Sequence, residues 1–266
     1  MTKTIGTIGS LLLLPLLAGA QPARLLPNEI SDRIRLQLEM RGVNITELTR
    51  AAAERHSAAH DSVQGAVKAD AATAGNTADP ALLKLLGDTF NRLFGVYKQL
   101  GVLDSPPDLY LNMEPVINAY ATKGQEIHIF AALTELINDS QSELAFAIAH
   151  EMGHIVQQRT GALLFVSDNP EFDADVWGVL VVLLAGYDPY SGAGTLAKLS
   201  MVTGDVGLQQ QFEDQSSQDA HKSFVTRIEI MYDQLKGVCG INADFQNLCN
   251  QYRSKFHPHF PSNAVL

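Results

Sequence analysis

Apolar positions recur every three or four residues through most of this chain and alternate in only one short region. Ile30, Ile34 and Leu38 share one face of a helix over residues 28–41, closed by Gly42. Thr46 starts a longer, alanine-rich helix running towards Ala72, with little large apolar surface to bury. Residues 71–79 are small and polar and read as a linker. Asp79-Pro80 then sets a cap and a first-turn proline ahead of Leu82, Leu86, Phe90, Leu93, Tyr97 and Leu100, and Gly101 ends that helix.

The period changes after Ser105-Pro106-Pro107. Leu109-Tyr110-Leu111 reads as a strand, and Asn118–Ala121, Thr122-Lys123-Gly124 and Gln125–Phe130 read as strand, turn and strand. In the last of these Ile127 and Ile129 share one face, while Glu126, His128 and Phe130 share the other; His128 is expected as a partly exposed strand residue. Helical spacing returns over 142–160 with Leu144, Ile148, Met152 and Ile155. Ser140 and Glu143 suggest a capping box, and Gly161 a stop. Asn169-Pro170 opens a further helix through Ala185, too short in its apolar run to span a bilayer. A helix over 223–236 and a small one over 243–256 complete the pattern.

The candidate chemistry lies on two of these helices. His150-Glu151-Met152-Gly153-His154 is an H-E-x-x-H sequence, so both imidazoles point from one helix face at one ion, with Glu151 beside them. Glu171 and Asp175 repeat the same i, i+4 spacing on the following helix. Glu171 can complete a His₂Glu zinc site with one position open to water, and Asp175 can accept the second ring N–H of His150. His56 and His60 share that spacing as well, but no acidic neighbour accompanies them, and a solvated helix face is the expected reading.

Charge and the termini narrow the class. Lys3, an apolar run from Ile5 to Leu17 and Ala18-Gly19-Ala20 form a secretory signal peptide over 1–20, so an exported protein, periplasmic or secreted and without a stable span after cleavage, is expected. Cleavage shifts the formal charge from 19 − 29 = −10 to 18 − 29 = −11, which disfavours nucleic acid as a partner. In an oxidising compartment Cys239 and Cys249 can pair.

From about Pro107 to Leu235 the sequence resembles the zinc metallopeptidase family that includes the CaaX prenyl protease, the membrane protease HtpX and soluble periplasmic BepA-type proteases. The resemblance is carried by Asn118-Ala119-Tyr120, Glu143-Leu144-Ala145, His150–His154, Glu171–Asp175, Ala185–Pro189, and His221 with Arg227 six residues on. It implies His150, His154 and Glu171 as zinc ligands, Glu151 as the acid/base acting on a zinc-bound water, and Asp175 and Arg227 behind them. His221 becomes either a latch on the open zinc position or an oxyanion donor, against the plainer option of a surface histidine. Arg227 either orients that loop or contacts substrate. Asp173 and Lys222 depart from the family pattern, which usually has Glu and Pro there.

The expected fold is α+β and mostly helical, a zincin-like unit of gluzincin type with a small antiparallel sheet. Residues 21–79 would form an N-terminal helical segment and linker, 80–236 the zinc metallopeptidase domain, and 237–266 a tail. The expected activity is a zinc metalloendopeptidase acting on exported proteins, misfolded or unassembled by analogy. A latent, chaperone-like zinc protein and an exopeptidase remain the alternatives. The oligomeric state is open.

Overall fold

The computed structural model describes residues 25–57, 68–69, 79–137, 140–166, 169–211 and 224–253. The expected signal peptide, the side chains of the His56/His60 pair, His221, Lys222 and the His257-Pro258-His259 tail lie outside the described residues.

In chain order the elements are α1 (Pro27–Met40), α2 (Ile45–Ser57), β1 (Lys68–Ala69), α3 (Pro80–Gln99), β2 (Asp108–Asn112), β3 (Ala119–Ala121) and β4 (Glu126–Phe130). There follow α4 (Ala131–Leu136), α5 (Gln141–Thr160), α6 (Pro170–Leu184), α7 (Ser191–Gln211), α8 (Phe224–Cys239) and α9 (Ala243–Arg253). The fold is mostly helical around a small sheet, as the periodicity predicts. Helices α4 and α7 are additions to that reading, and so is β1, which stands where the helix from Thr46 was expected to run on towards Ala72. α7 is rich in glycine, serine and threonine, which have no strong helical preference. It forms because it packs against α8 and α5.

The sheet runs β1-β2-β4-β3 and is mixed, where an antiparallel sheet was expected. Only the β3–β4 hairpin is antiparallel; β1 with β2 and β2 with β4 are parallel. The alternation of β4 is borne out: Ile127 and Ile129 are fully buried, while His128 keeps partial exposure. His128 stacks between Tyr110 and Tyr120, with centroids 4.9 and 4.6 Å away. These three residues sit opposite one another across β2, β4 and β3, as cross-strand neighbours on one face must.

The helix ends follow local chemistry with one exception. Asp79 accepts from Ala81 N–H at 2.9 Å, and Asn169 accepts from Glu171 and Phe172 N–H at 3.0 and 3.2 Å. Gly161 closes α5 in the left-handed region at φ 65°. The capping box expected at Ser140 and Glu143 is not formed: Ser140 makes no side-chain cap bond. The Glu143 carboxylate instead lies 2.9 Å from Lys198 Nζ on α7, because a nearly buried charge gains more from an opposite charge than from one more backbone amide.

The core is built around α6, buried along its whole length and packed most extensively against α5. α8 braces α6, α1 lies on α8, and α2 touches α6 and α9. Cys239 and Cys249 form a disulfide that ties the end of α8 to α9. Among the described residues no helix is long and apolar enough to cross a membrane.

Candidate metal centre

The site is made by the close crossing of α5 and α6. A Cβ added at Gly153 would lie 3.0 Å from Trp177 Cβ and 3.1 Å from Ala174 Cα, so the glycine inside H-E-x-x-H lets the two backbones approach. That approach brings Glu171, in the first turn of α6, over the histidine face of α5. Tyr97 of α3 ties down α5 by donating its hydroxyl to Ala149 O at 2.7 Å, one residue before His150.

Two imidazole nitrogens and the two oxygens of one carboxylate converge. His150 Nε2 and His154 Nε2 are 3.2 Å apart. Glu171 Oε2 lies 3.4 Å from His150 Nε2, and Oε1 lies 3.3 Å from His154 Nε2. Nitrogen and oxygen ligands about 2.0–2.1 Å from a tetrahedral zinc stand about 3.3–3.4 Å from each other. The separations between these groups are of that size, each histidine facing its own oxygen of Glu171, and one ligand atom from each of the three residues lies within 4.8 Å of the others. His150, His154 and Glu171 are the group among the described residues that could hold a metal ion, and their donor set fits zinc. Glu151, beside His150, is 7% exposed and shares the buried setting.

Behind these groups sits a buried charge network. His150 Nδ1 lies 3.0 Å from Asp175 Oδ1, as the spacing on α6 predicts. Asp175 is fully buried. Arg227 of α8 donates from Nε and Nη2 to its two oxygens at 3.0 and 2.6 Å, and places Nη1 3.1 Å from Glu171 Oε2. Arg227 is thus a buried clamp on two carboxylates.

Electrostatics follow from this packing. Burial alone pulls His150 down, but hydrogen bonding to Asp175 and Glu171 reverses that and holds it up at about 10. His154 is raised by Glu171 against the opposing effect of burial. Burial pushes Glu171 and Asp175 up, yet the facing histidines and Arg227 bring both below the usual carboxylate range, Glu171 strongly so. Arg227 is held more firmly protonated by the same carboxylates, despite its burial. The carboxylates thus favour the protonated form of His150, and a metal bound there would displace that proton.

Sequence reasoning missed two members of the site. Gln157 places Oε1 2.9 Å from His154 Nδ1, and its Nε2 donates to Pro170 O at 2.8 Å and to Asp173 Oδ2 at 3.1 Å. Asp173 in turn accepts from Phe165 and Val166 N–H at 2.6 and 3.0 Å, which ties the segment after α5 to α6. The available signal was positional: Gln157 lies three residues after His154, on the same helix face. His128, in its tyrosine stack, does not join the donor group.

Residues 88–161 match Peptidase family M48. The match runs from within α3 through β2, β3 and β4 to the end of α5 and contains the whole H-E-x-x-H segment, which indicates a metallopeptidase domain with a zincin-like fold. It ends before Glu171, Asp175 and Arg227, whose place in the site rests on the geometry above. No curated protein matches the sequence.

Proposed function

We propose that this chain is a zinc metalloendopeptidase of the exported, soluble kind that the BepA-type resemblance suggests. The observation that carries the reading is the convergence of His150 Nε2, His154 Nε2 and the two Glu171 carboxylate oxygens at separations of 3.2–3.4 Å, set beside the buried Glu151. Zinc, when bound there, supplies a Lewis acid that polarises the scissile carbonyl and makes water acidic enough to ionise near neutral pH.

The chain's own groups do the rest. Glu151 takes a proton from the attacking water and passes it to the leaving amine as the C–N bond breaks, so no net proton is gained or lost at the enzyme. Asp175 keeps the Nδ1 proton on His150, so Nε2 presents its lone pair. Arg227 holds Asp175 and Glu171 against their mutual repulsion. β3 is an edge strand of the sheet and packs along α5. An extended substrate pairing with that edge would lie across the histidine face, with main-chain hydrogen bonds supplying sequence-tolerant binding.

Residues 80–236 form the catalytic unit in this reading, braced by α1 on α8 and by α2 on α6. The Cys239–Cys249 disulfide supports an oxidising compartment, in keeping with export. Misfolded or unassembled exported proteins are the proposed substrates, by the resemblance. His221 is proposed as a gate or oxyanion donor on the same ground.

The test is Glu151→Gln. It should retain zinc and lose cleavage of an unfolded protein by at least about a hundredfold, since a general acid/base contributes roughly 10²–10⁴ in rate. Absence of metal-dependent cleavage by the wild type would sink the reading. Mass mapping of products separates internal cleavage from trimming at chain ends.

A further inference from the structure

The two histidines are held from behind by different chemistry. His150 Nδ1 faces the Asp175 carboxylate at 3.0 Å. His154 Nδ1 faces the amide oxygen of Gln157 at 2.9 Å. From this we infer that Gln157 is the positioning residue for His154, a neutral clamp that sets its tautomer as Asp175 sets that of His150. The inference rests on the metallopeptidase reading.

The orientation of the Gln157 amide follows from its partners. Pro170 O, 2.8 Å from Nε2, is a backbone carbonyl and can only accept. The Asp173 carboxylate, 3.1 Å from the same nitrogen, accepts as well. The –NH₂ end must therefore face α6, which turns Oε1 to His154. An amide oxygen can only accept, so Nδ1 of His154 carries a proton, and Nε2, which faces Glu171 and His150, is the nitrogen left to give its lone pair to a metal. A reversed amide would put –NH₂ against Nδ1, move the ring proton to Nε2 and block the lone pair a metal needs.

Asp173 makes the clamp rigid. Its Oδ1 accepts from Phe165 and Val166 N–H, so the carboxylate that steadies Gln157 is itself fixed by the segment leading into α6. The chain from backbone amides through Asp173 and Gln157 to His154 thus joins α5 to the start of α6, within two residues of Glu171. One ligand histidine is held by a charge that Arg227 balances; the other is held by a dipole that needs no counter-ion.

Gln157 is only half-buried, so replacing it leaves the core intact. The full-length protein is compared as wild type, Gln157→Leu and Gln157→Glu. Zinc affinity is read by competition with a chromophoric chelator, and the ring N–H protons of His150 and His154 by ¹H–¹⁵N NMR of the zinc form. Gln157→Leu should weaken zinc binding by about tenfold to a hundredfold, the usual effect of losing a partner behind a metal ligand. It should also remove the protected Nδ1–H signal of His154 and leave that of His150 in place. Gln157→Glu keeps an accepting oxygen for Nδ1 but loses the donor to Pro170 O and Asp173, so it should retain the His154 signal while binding zinc less tightly than wild type. Zinc affinity within about twofold of wild type in Gln157→Leu, with both signals unchanged, would overturn the inference; so would equal loss of both signals, which marks a general disturbance. If the wild type itself takes up no zinc, the metallopeptidase reading falls. If the wild type binds zinc and cleaves while Gln157→Leu matches it, the inference about Gln157 alone falls.

Discussion

Arg227 grips Asp175 with two hydrogen bonds, from Nε to Oδ2 at 3.0 Å and from Nη2 to Oδ1 at 2.6 Å, although 52 residues separate them. The pair is buried, and Arg227 also reaches Glu171. Removing the cation strands two carboxylates out of water. Arg227→Leu should therefore destabilise the metal-free protein by about 3–5 kcal/mol, the usual cost of breaking a buried pair from one side. Arg227→Lys keeps the charge but loses the two-pronged geometry, and should fall between the two. Denaturant unfolding of the chelator-treated proteins measures this. Equal midpoints for wild type and Arg227→Leu would mean that the clamp carries no stability.

Metal uptake should release protons and strengthen with pH. In the metal-free fold His150 is held at about 10 against an ordinary 6.5. A raised pKa stabilises the folded form fully below about 6.5 and loses that contribution as pH climbs through about 10. Glu171 and Asp175 are depressed, so their contribution is present above the ordinary carboxylate range and fades as pH falls below it. The metal-free protein should thus be most stable between those two ranges. Zinc competes with the histidine protons, so its apparent affinity should rise steadily from pH 6 towards pH 9. Titration calorimetry in buffers of different ionisation heat counts the released protons. A flat affinity across that span, with no protons released, would contradict the placement of His150 between two carboxylates.

The parts of the site legible in sequence were those set by local spacing. His150 with His154, and Glu171 with Asp175, each lie one helical turn apart, and helix geometry alone puts each pair on one face. The caps at Asp79 and Asn169 were legible for the same reason. What failed was decided at long range. Glu143 has the spacing of a capping residue, but its partner Lys198 lies on α7. Arg227 was placed behind the ligands only by the family resemblance; its grip on Asp175 and Glu171 exists because α8 packs on α6. The sheet was expected to be antiparallel because only its hairpin is local, whereas β2 meets β4 in parallel across the intervening β3. α7 went unseen because packing, not residue preference, stabilises it.

The disulfide gives a prediction independent of the metal. It closes a loop of 10 residues between α8 and α9. A loop that short removes roughly 2.5–3 kcal/mol of chain entropy from the unfolded state. Cys239→Ser/Cys249→Ser should lower stability by about that amount or somewhat more, because Cys249 is buried and a hydroxyl there loses its apolar surroundings. Zinc affinity should stay within about twofold, since the site is built by α5, α6 and Arg227 near the other end of α8. Unfolding curves with and without reductant test the first part and chelator competition the second. Loss of zinc binding on reduction would show that α9 holds the site in place.

Two glycines should respond in opposite directions to the same change. Gly95 lies exposed in α3, and a methyl group added there would meet nothing within 4 Å, so Gly95→Ala should stabilise by about 0.4–1 kcal/mol through helix preference and a stiffer unfolded chain. Gly153→Ala gains the same local preference but thrusts a methyl group at Ala174 Cα, 3.1 Å away, and Trp177 Cβ, 3.0 Å away. Backbone cannot step aside as a flexible side chain can, so α6 must move off α5. A net loss of about 1–3 kcal/mol is expected, as for overpacking elsewhere. The more telling effect is on metal. Glu171 rides on α6 while both histidines ride on α5, so separating the helices opens the distances of 3.3 and 3.4 Å that Glu171 makes with them. Zinc affinity should therefore fall in Gly153→Ala and hold in Gly95→Ala. Thermal unfolding paired with chelator competition reads both quantities on the same samples. If Gly153→Ala loses stability but binds zinc as tightly as wild type, the helix crossing does not set the ligand geometry, and α6 must reach the histidines by another constraint.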